Sequence, residues 1–230
     1  MRDRPGSVML FAAGFGTRMG ALTADRPKPL IPVAGKALID HALDLVNAYG
    51  PDRIVANLHY LPDQVEAHLA DRGVAFSREE PEILETGGGL RAALPLLGHK
   101  PVFTMNTDAI WRGPNPLTFL AERWDAAKMD ALLLCLGKQQ ALGHTGAGDF
   151  IADAEGRAIR GPGVIYSGLQ IIRTETLASF QERKFSLNRV WDIMLDHGRL
   201  FTATYPGMWC DVGQPQSISL AERLLAGSDV

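Results

Sequence analysis

A short apolar run near the start of the chain ends in a glycine-rich loop, and this junction constrains the fold more than any other feature. The run spans Val8 to Ala13, and Gly14-Phe15-Gly16 follows at once. An apolar run of this length, bounded by glycine, indicates a buried strand. Glycine lacks a Cβ atom, so it lets the backbone approach a ligand closely and turn N–H groups toward an anion. The junction therefore predicts a strand that ends in a phosphate-binding loop.

Two positive charges follow this loop, Arg18 shortly after Gly16 and Lys28 between two prolines. They favour a polyphosphate ligand, but two common phosphate motifs are absent. The spacing of glycine and lysine does not match the P-loop, and Met19 stands where a dinucleotide-binding loop has its third glycine. Without further signals, a tight strand-to-helix turn that binds no ligand remains an alternative.

Strand and helix patterns alternate along the first part of the chain, and after about residue 137 the sequence pattern changes to glycine-rich loops and short strands. The alternation predicts an α/β fold with a Rossmann-like, mixed but mostly parallel sheet and helices on both faces. Ligands in such folds bind beyond the carboxyl ends of the strands. The later part predicts a small β-rich region, with no linker that would divide residues 1–230 into separate domains. The predicted strands are 7–13, 53–58, 74–76, 101–105 and 131–136, with short antiparallel strands in 150–172, and the predicted helices are 36–49, 62–72, 116–127, 186–197 and 214–226.

The composition is that of an ordinary water-soluble globular protein, with 46% apolar residues and a formal net charge of −3. No basic stripe is present, so we expect neither a nucleic-acid partner nor a membrane surface. Two isolated cysteines, Cys135 and Cys210, favour a reduced cytoplasmic protein over a disulfide scaffold or a zinc site. The N-terminus lacks the apolar stretch of a signal peptide, and no apolar run is long enough for a transmembrane helix.

The residues around the first loop carry a family resemblance. Residues 12–19 (AAGFGTRM) and 25–30 (DRPKPL) resemble the signature of the sugar-phosphate nucleotidyltransferases. The resemblance implies that the loop holds a nucleoside triphosphate and that Arg18 and Lys28 act on its phosphates as catalytic residues. Gly20-Ala21 departs from the arginine-proline that the family often carries there. The implied nucleotide-binding residues of this segment are Ala12, Ala13, Gly14, Gly16, Thr17, Arg18 and Lys28.

A second glycine run, residues 84–90 (LETGGGL), precedes a helical pattern. An ordinary helix start explains such a run without a ligand. The resemblance instead implies recognition of the nucleobase by Glu85, Gly87 and Gly88. Guanylyltransferases of the family usually show Gly-Thr-Ala-Gly here, whereas this run resembles the short uridylyltransferases that act on N-acetylmuramate 1-phosphate in bacterial cell-wall recycling. UTP is therefore the expected nucleotide.

Two aspartates are the expected metal ligands. Asp108 follows a predicted strand, and Asp211 lies in Trp209-Cys210-Asp211. Each has an alternative role as a turn or helix-capping residue. Mg²⁺ takes one or two carboxylates together with phosphate oxygens and water, and both positions match the metal aspartates of the resembled family. Asn106 is expected to contact the ribose or the sugar phosphate.

The later half of the chain is expected to bind the sugar phosphate, with residues 1–136 as the nucleotide-binding part and 137–230 as the acceptor part. His59 and His144 are expected to be structural, since nucleotidyl transfer needs no acid–base group. The resemblance leaves open a mannose-1-phosphate guanylyltransferase or another hexose-1-phosphate nucleotidyltransferase, and, in another class, a non-catalytic nucleotide-sugar sensor. A monomer or small homo-oligomer is expected. The expected acceptor residues are Asn106, Gly148, Asp149, Tyr166, Ser167 and Gly168.

Overall fold

A computed structural model describes residues 4–98 and 100–227 of the chain. Helices and strands alternate through its first half, and strands dominate the third quarter. The helices are α1 (Leu38–Tyr49), α2 (Pro62–His68), α3 (Glu85–Leu97), α4 (Pro116–Ala121), α5 (Leu187–Asp196) and α6 (Ser217–Ala226). The strands are β1 (Ser7–Phe11), β2 (Pro32–Val33), β3 (Lys36–Ala37), β4 (Arg53–Leu58), β5 (Val74–Arg78), β6 (Val102–Asn106), β7 (Ala109–Arg112), β8 (Ala131–Leu136), β9 (Ala141–Leu142), β10 (Phe150–Ala152), β11 (Ala158–Arg160), β12 (Ile165–Ile172), β13 (Leu200–Thr204) and β14 (Met208–Asp211).

A seven-stranded sheet forms the centre of the fold, in the order β13-β8-β12-β6-β1-β4-β5. All its strands run in the same direction except β12, which pairs antiparallel with both β6 and β8. The prediction of a mixed, mostly parallel α/β sheet is therefore confirmed. The amino end of β12 lies beside the carboxyl end of β8, where Ile165 pairs with Leu136. The start of β12 consequently reaches the edge at which parallel strands bind ligands.

Alternate residues of the central strands feed two hydrophobic clusters, one on each face of the sheet. In β8, for example, Leu132 and Leu134 belong to the cluster that contains α1 and α4, whereas Leu133 packs with α3 and α5. A third cluster joins α6 to Met19 and Cys210. Helices cover both faces, as the sequence predicts. Among the described residues, no helix has the length and apolar character that crossing a bilayer requires.

Two predicted helices end earlier in the structure. The helix predicted over 62–72 stops at His68, and Asp71 then turns the chain in a left-handed conformation with φ 61°. The helix predicted over 116–127 stops at Ala121, and the Asp125 carboxylate accepts a hydrogen bond from a main-chain N–H two residues later. In both places a local turn replaces the last predicted helical turn.

Three elements lay outside the sequence-based prediction. β7, β9 and β14 form a small sheet beside the carboxyl edge of the main one. A 3₁₀ segment follows the first glycine loop over Thr17–Thr23. α3 begins at Glu85, so the second glycine run lies inside the helix and not before it. All three affect the candidate site.

A buried carboxylate ties α1 to the segment that follows α2. Asp40 accepts hydrogen bonds from His68, at 2.9 Å, and from Arg72. Burial acts to raise the pKa of Asp40, but the hydrogen bonds and charges of His68 and Arg72 outweigh it, and the pKa lies below its usual value of 3.8.

Replacing this carboxylate is expected to destabilise the protein in a pH-dependent way. Asp40→Asn should lower the free energy of unfolding by about 1–2 kcal/mol near neutral pH, because a charge-assisted hydrogen-bond pair is lost. Since the folded pKa is lowered, the contribution is present above the usual pKa and is lost as the pH falls through the folded value. Urea titrations at several pH values measure the difference. Asp44→Asn, at an exposed ion pair on the same helix, is the control and should change stability by less than about 0.5 kcal/mol. A difference for Asp40→Asn that did not shrink in acid would contradict this account.

Candidate active site

The first glycine loop leaves β1 with its backbone donors unused. The N–H of Ala12 donates to Asn57 Oδ1 at 2.9 Å, which fixes the start of the loop against the end of β4. Among the described residues, the N–H groups of Ala13 to Gly16 donate no hydrogen bond. Gly16 has φ 65°, and a Cβ atom there would lie 2.9 Å from Lys28 Cβ. Glycine at this position therefore permits both the turn and the approach of Lys28.

A buried network links this loop to the second glycine run. Asn57 Nδ2 donates to Glu79 Oε1 at 2.7 Å, and the N–H of Leu84 donates to Glu79 Oε2 at 2.7 Å. Glu79 is 1% exposed. Together with the Ala12–Asn57 hydrogen bond, these contacts connect the two loops through one carboxylate. Glu85 follows directly with φ 60°, an uncommon conformation for a residue other than glycine, at the mouth of the site.

An ion pair joins the loop to the end of β6. Lys28 Nζ lies 2.5 Å from Asp108 Oδ2, and the lysine side chain is 11% exposed. Thr107 holds the turn before Asp108, because its hydroxyl donates to the Phe11 carbonyl at 2.8 Å. The ends of β1 and β6 are thereby locked together, with Lys28 and Asp108 facing the space between them.

The small sheet brings the second aspartate to the first. β14 pairs antiparallel with β7 so that Asp211 lies opposite Ala109, and the N–H of Val212 donates to the Asp108 carbonyl at 2.9 Å. Gly213 then passes close to both charged groups, since a Cβ atom there would lie 2.9 Å from Asp211 Oδ2 and 3.2 Å from an Arg18 nitrogen. Two residues more than a hundred positions apart in sequence thus reach one site.

Several charged groups surround Asp211 and affect the pKa of its carboxyl group. Burial is the main cause that raises the pKa of Asp211, and the like charge of Asp108 raises it further. Lys28, Arg18 and His144 act in the opposite direction. Among the described residues, the Asp211 carboxylate accepts no hydrogen bond, and Arg18 forms no ion pair. Beside the ion pair of Lys28 and Asp108, Asp211 and Arg18 therefore contribute charges that no ion pair neutralises within the described residues.

Two adjoining cavities hold most of the predicted nucleotide residues. The first, of about 210 Å³, lies between β1, β6 and the start of α3. The second, of about 220 Å³, continues along the loop toward Gly213. Predicted residues that line the first are Ala12, Ala13, Gly14, Lys28, Glu85, Asn106 and Asp108, and those that line the second include Gly16, Thr17 and Arg18.

A third space, which we call the acceptor cavity, opens on the other side of Asn106 and has a volume of about 390 Å³. The predicted residues Asn106, Asp149 and Tyr166 line it, together with His144. Asp149 accepts a hydrogen bond from the N–H of Tyr166 at 2.8 Å, which holds its carboxylate at the rim. Burial raises the pKa of the Tyr166 hydroxyl, and the Tyr166 ring packs edge-to-face against Trp191 at the cavity.

The glycines of α3 take a role that the sequence analysis did not foresee. The N–H groups of Gly87 and Gly88 donate to the Phe185 carbonyl at 2.9 and 3.0 Å. A Cβ atom at Gly87 would lie 2.5 Å from the Phe185 ring, and one at Gly88 would lie 2.3 Å from the Arg183 carbonyl. The N–H donors of Gly87 and Gly88 are therefore used within the protein, and both residues pack against the segment before α5. Their expected contact with a nucleobase stays a prediction.

Three predicted acceptor residues also lie outside the cavity wall. Ser167 is buried, and its hydroxyl donates to the Leu134 carbonyl at 2.7 Å within an irregular stretch of β12. Gly148 packs against the backbone of Gly163, where a Cβ atom would come within 2.3 Å of the carbonyl oxygen. Gly168, with φ 83°, leaves room for the Asn106 side chain, since a Cβ atom would lie 2.6 Å from its amide nitrogen. These three residues therefore support the wall of the acceptor cavity but do not line it.

Sequence reasoning missed several residues that line these spaces. Asn57 had a detectable signal, because a polar residue near the end of an otherwise apolar strand needs a partner. His144, expected to be structural, lines the acceptor cavity and influences Asp211. Glu79 and Arg160 gave no local signal, since their roles depend on contacts with distant segments.

Comparison with known proteins agrees with this geometry. A family model described as the MobA-like NTP transferase domain matches residues 8–177. The chain belongs to this family, and its resemblance to the sugar-phosphate nucleotidyltransferases is confirmed.

Particular relatives refine the assignment. The chain is 39% identical to an N-acetylmuramate alpha-1-phosphate uridylyltransferase from Caulobacter vibrioides, over 98% of this chain and 99% of the relative. A probable mannose-1-phosphate guanylyltransferase from Arabidopsis thaliana is more distant, at 25% identity over 96% of this chain and 65% of that protein. The fold also matches a solved structure of a putative glucose-1-phosphate thymidylyltransferase from Bacillus anthracis, with a TM-score of 0.79 at 17% identity, over 97% of this chain and 96% of that one.

The Glu79 network yields a direct test of stability. Both partners of the Glu79 carboxylate are donors, so Glu79→Gln places an amide NH₂ group against a donor. The variant should lose about 2 kcal/mol of unfolding free energy, because a buried donor is left without an acceptor. Denaturant titration measures this loss. Glu82→Gln, at an exposed position of the same loop, is the matched control and should leave the midpoint unchanged. Equal midpoints for the two variants would show that the network does not stabilise the loops.

Proposed function

We propose that the protein transfers a uridylyl group from UTP to N-acetylmuramate 1-phosphate, with release of pyrophosphate. The observation that carries this proposal is the convergence of the free loop N–H groups, Arg18, Lys28 and Asp108 on adjoining cavities, with the Asp211 carboxylate close to these charges. The likeness to the Caulobacter vibrioides uridylyltransferase supports the choice of substrates.

A sugar 1-phosphate is already a nucleophile near neutral pH, so the reaction needs positioning and charge stabilisation more than an activated side chain. The proposed step is an in-line attack of a sugar-phosphate oxygen on the α-phosphorus of the triphosphate, in which the bond to the pyrophosphate oxygen breaks. Lys28 stabilises the charge that develops on the α-phosphate during the transfer. Arg18, which is free of ion pairs within the described residues, holds the departing pyrophosphate. Asn106 lies between the two substrates, since it lines both cavities.

The nucleotide half of the site is proposed to use the backbone of residues 13–16 for the phosphates and Glu85 for the nucleobase or ribose. Glu85 lines the first of the two adjoining cavities, at the start of α3. Its neighbours Gly87 and Gly88 support it indirectly, by docking α3 on the segment around Phe185.

Asp108 and Asp211 are the residues that would hold Mg²⁺. They fit a hard divalent cation, because two carboxylates face one space and the pKa of Asp211 is raised by burial and by Asp108. The described residues contain no cluster of three or more potential protein ligands, so phosphate oxygens and water would complete the shell. When bound, the ion would neutralise charge on the phosphate oxygens.

A substrate panel tests the proposed activity. Pyrophosphate release is measured for the four common nucleoside triphosphates against the 1-phosphates of N-acetylmuramate, N-acetylglucosamine, glucose and mannose, with Mg²⁺ present. The highest kcat/KM is expected for UTP with N-acetylmuramate 1-phosphate. Preference for GTP with mannose 1-phosphate would replace the proposal with the guanylyltransferase alternative. Nucleotide binding without pyrophosphate release for any pair would instead favour a sensor.

Removal of either member of the central ion pair is expected to abolish turnover. Lys28→Ala and Asp108→Ala should each lower kcat by at least about a hundredfold, because the first removes a positive charge at the reacting phosphate and the second removes a proposed ligand of Mg²⁺. Circular dichroism should show that both variants remain folded. Lys36→Ala, at an exposed ion pair away from the cavities, is the control. Near-wild-type kcat in either site variant would contradict the assigned roles.

The position of Asn106 is expected to depend on Gly168. Gly168→Ala should lower kcat/KM by about tenfold or more, since the new Cβ atom displaces the Asn106 amide and small misplacements are costly in catalysis. Gly156→Ala is the matched control, because Gly156 has a similar φ of 86° but its nearest neighbour lies 3.7 Å away. Both variants bear the same backbone strain, so an equal loss of activity would show that strain, and not Asn106, is responsible.

A further inference from the structure

Three aromatic rings line one part of the acceptor cavity. The Trp191 ring lies 5.0 Å from Tyr166 and 6.0 Å from Phe150, measured between centroids, in edge-to-face arrangements. The indole nitrogen of Trp191 donates to Gln170 at 2.9 Å, so the ring is fixed. A rigid apolar wall of this kind suits the face of a sugar ring but does not tell one sugar from another.

One positively charged side chain, that of Arg160, lies beside these rings. Within residues 4–98 and 100–227, Arg160 is the only arginine or lysine that lines the acceptor cavity. Its guanidinium carbon lies 5.4 Å from the centroid of Phe150. Arg160 comes from β11, on the hairpin that forms part of the cavity, and it played no part in the sequence-based site.

Hydrogen bonds to α5 orient the side chain of Arg160. Its Nε and Nη2 donate to Asp192 Oδ1 at 3.0 and 2.7 Å, and its Nη1 and Nη2 donate to Asn188 at 3.2 Å. Four of the five guanidinium N–H groups are thereby engaged, which leaves one N–H on Nη1. Asp192 is 57% exposed, so solvent screens its hold on the arginine. The guanidinium is therefore oriented but remains able to bind a second anion.

The chemistry of the proposed acceptor calls for such a cation. N-acetylmuramate differs from N-acetylglucosamine by a lactyl ether that carries a carboxylate. The acidic group that lines the same cavity, Asp149, would repel this carboxylate, so an oriented guanidinium is needed to recognise it.

We propose that Arg160 selects the acceptor by binding the lactyl carboxylate of N-acetylmuramate 1-phosphate. This inference rests on the proposed function. Arg160 then distinguishes an acidic amino sugar from its neutral counterpart, while the 1-phosphate that both sugars share points toward Asn106.

The test compares two acceptors that differ only in the lactyl group. KM and kcat are measured with UTP and either N-acetylmuramate 1-phosphate or N-acetylglucosamine 1-phosphate, for the wild type and Arg160→Gln. Where the second compound is turned over too slowly, its inhibition constant against the first replaces its KM. Arg160→Gln should raise the KM for N-acetylmuramate 1-phosphate by about tenfold, as expected for a lost charge-assisted contact at a part-exposed site, and change the constant for N-acetylglucosamine 1-phosphate by less than about twofold.

Two further variants separate recognition from structural support. Asp192→Asn removes the ion pair with α5 but keeps the guanidinium, so it should retain the preference for the acidic acceptor. Arg157→Gln removes an exposed arginine just before β11 that pairs with Asp153 and does not line the cavity. It should leave unchanged both the KM for N-acetylmuramate 1-phosphate and the constant for N-acetylglucosamine 1-phosphate.

The outcomes distinguish this inference from the proposed function. If the wild type does not turn over N-acetylmuramate 1-phosphate, the proposed function fails. If it does, an equal effect of Arg160→Gln on both acceptors would overturn the inference and place Arg160 at the shared phosphate or sugar. A loss of preference in Asp192→Asn equal to that in Arg160→Gln would also overturn it, since the ion pair with α5 would then be the cause.

Discussion

The ion pair between Lys28 and Asp108 is the interaction on which the rest of the site depends. It joins segments 80 residues apart, the loop after β1 and the turn after β6. Because the Asp108 carbonyl also accepts a hydrogen bond from the N–H of Val212, directly after β14, the same turn brings Asp211 into place. One mostly buried charge pair therefore sets the positions of the first glycine loop, both carboxylates and the cleft between them.

Local patterns in the sequence were enough to predict the α/β sheet and the loop at its carboxyl edge. The strands Arg53–Leu58 and Ala131–Leu136 were predicted with their observed bounds, since the second is a continuous apolar run and the first is mostly apolar with a clear start after Gly50-Pro51. The small sheet of β7, β9 and β14 escaped prediction because its strands are short and pair across long separations. The family resemblance named Asp211 as a metal ligand, but only the pairing of β7 with β14 explains how it reaches Asp108.

The glycines illustrate why a motif does not by itself reveal a role. The absent side chains of Gly16 and Gly168 make room for Lys28 and Asn106, which both lie at the site. Those of Gly87 and Gly88 make room for Phe185 and Arg183, in the segment before α5. In each case the absent side chain makes room for a neighbour, but the identity of that neighbour depends on the tertiary fold. Glu79 shows the same limit, since an isolated glutamate in the sequence gives no sign that it links two loops.

The antiparallel strand β12 lies between the strands of the proposed nucleotide site and a large part of the acceptor side. β1, β4 and β6 lie on one side of β12, and most residues around the acceptor cavity come from β8 onward in the sequence, with Phe11, Thr86 and Asn106 as the exceptions. Exposed positions on the wall of this cavity, such as Arg160 and Asn188, can be substituted without altering the core beneath the first loop. Under the proposed function, the architecture thus allows acceptor preference to change while the residues proposed to bind the nucleotide stay the same.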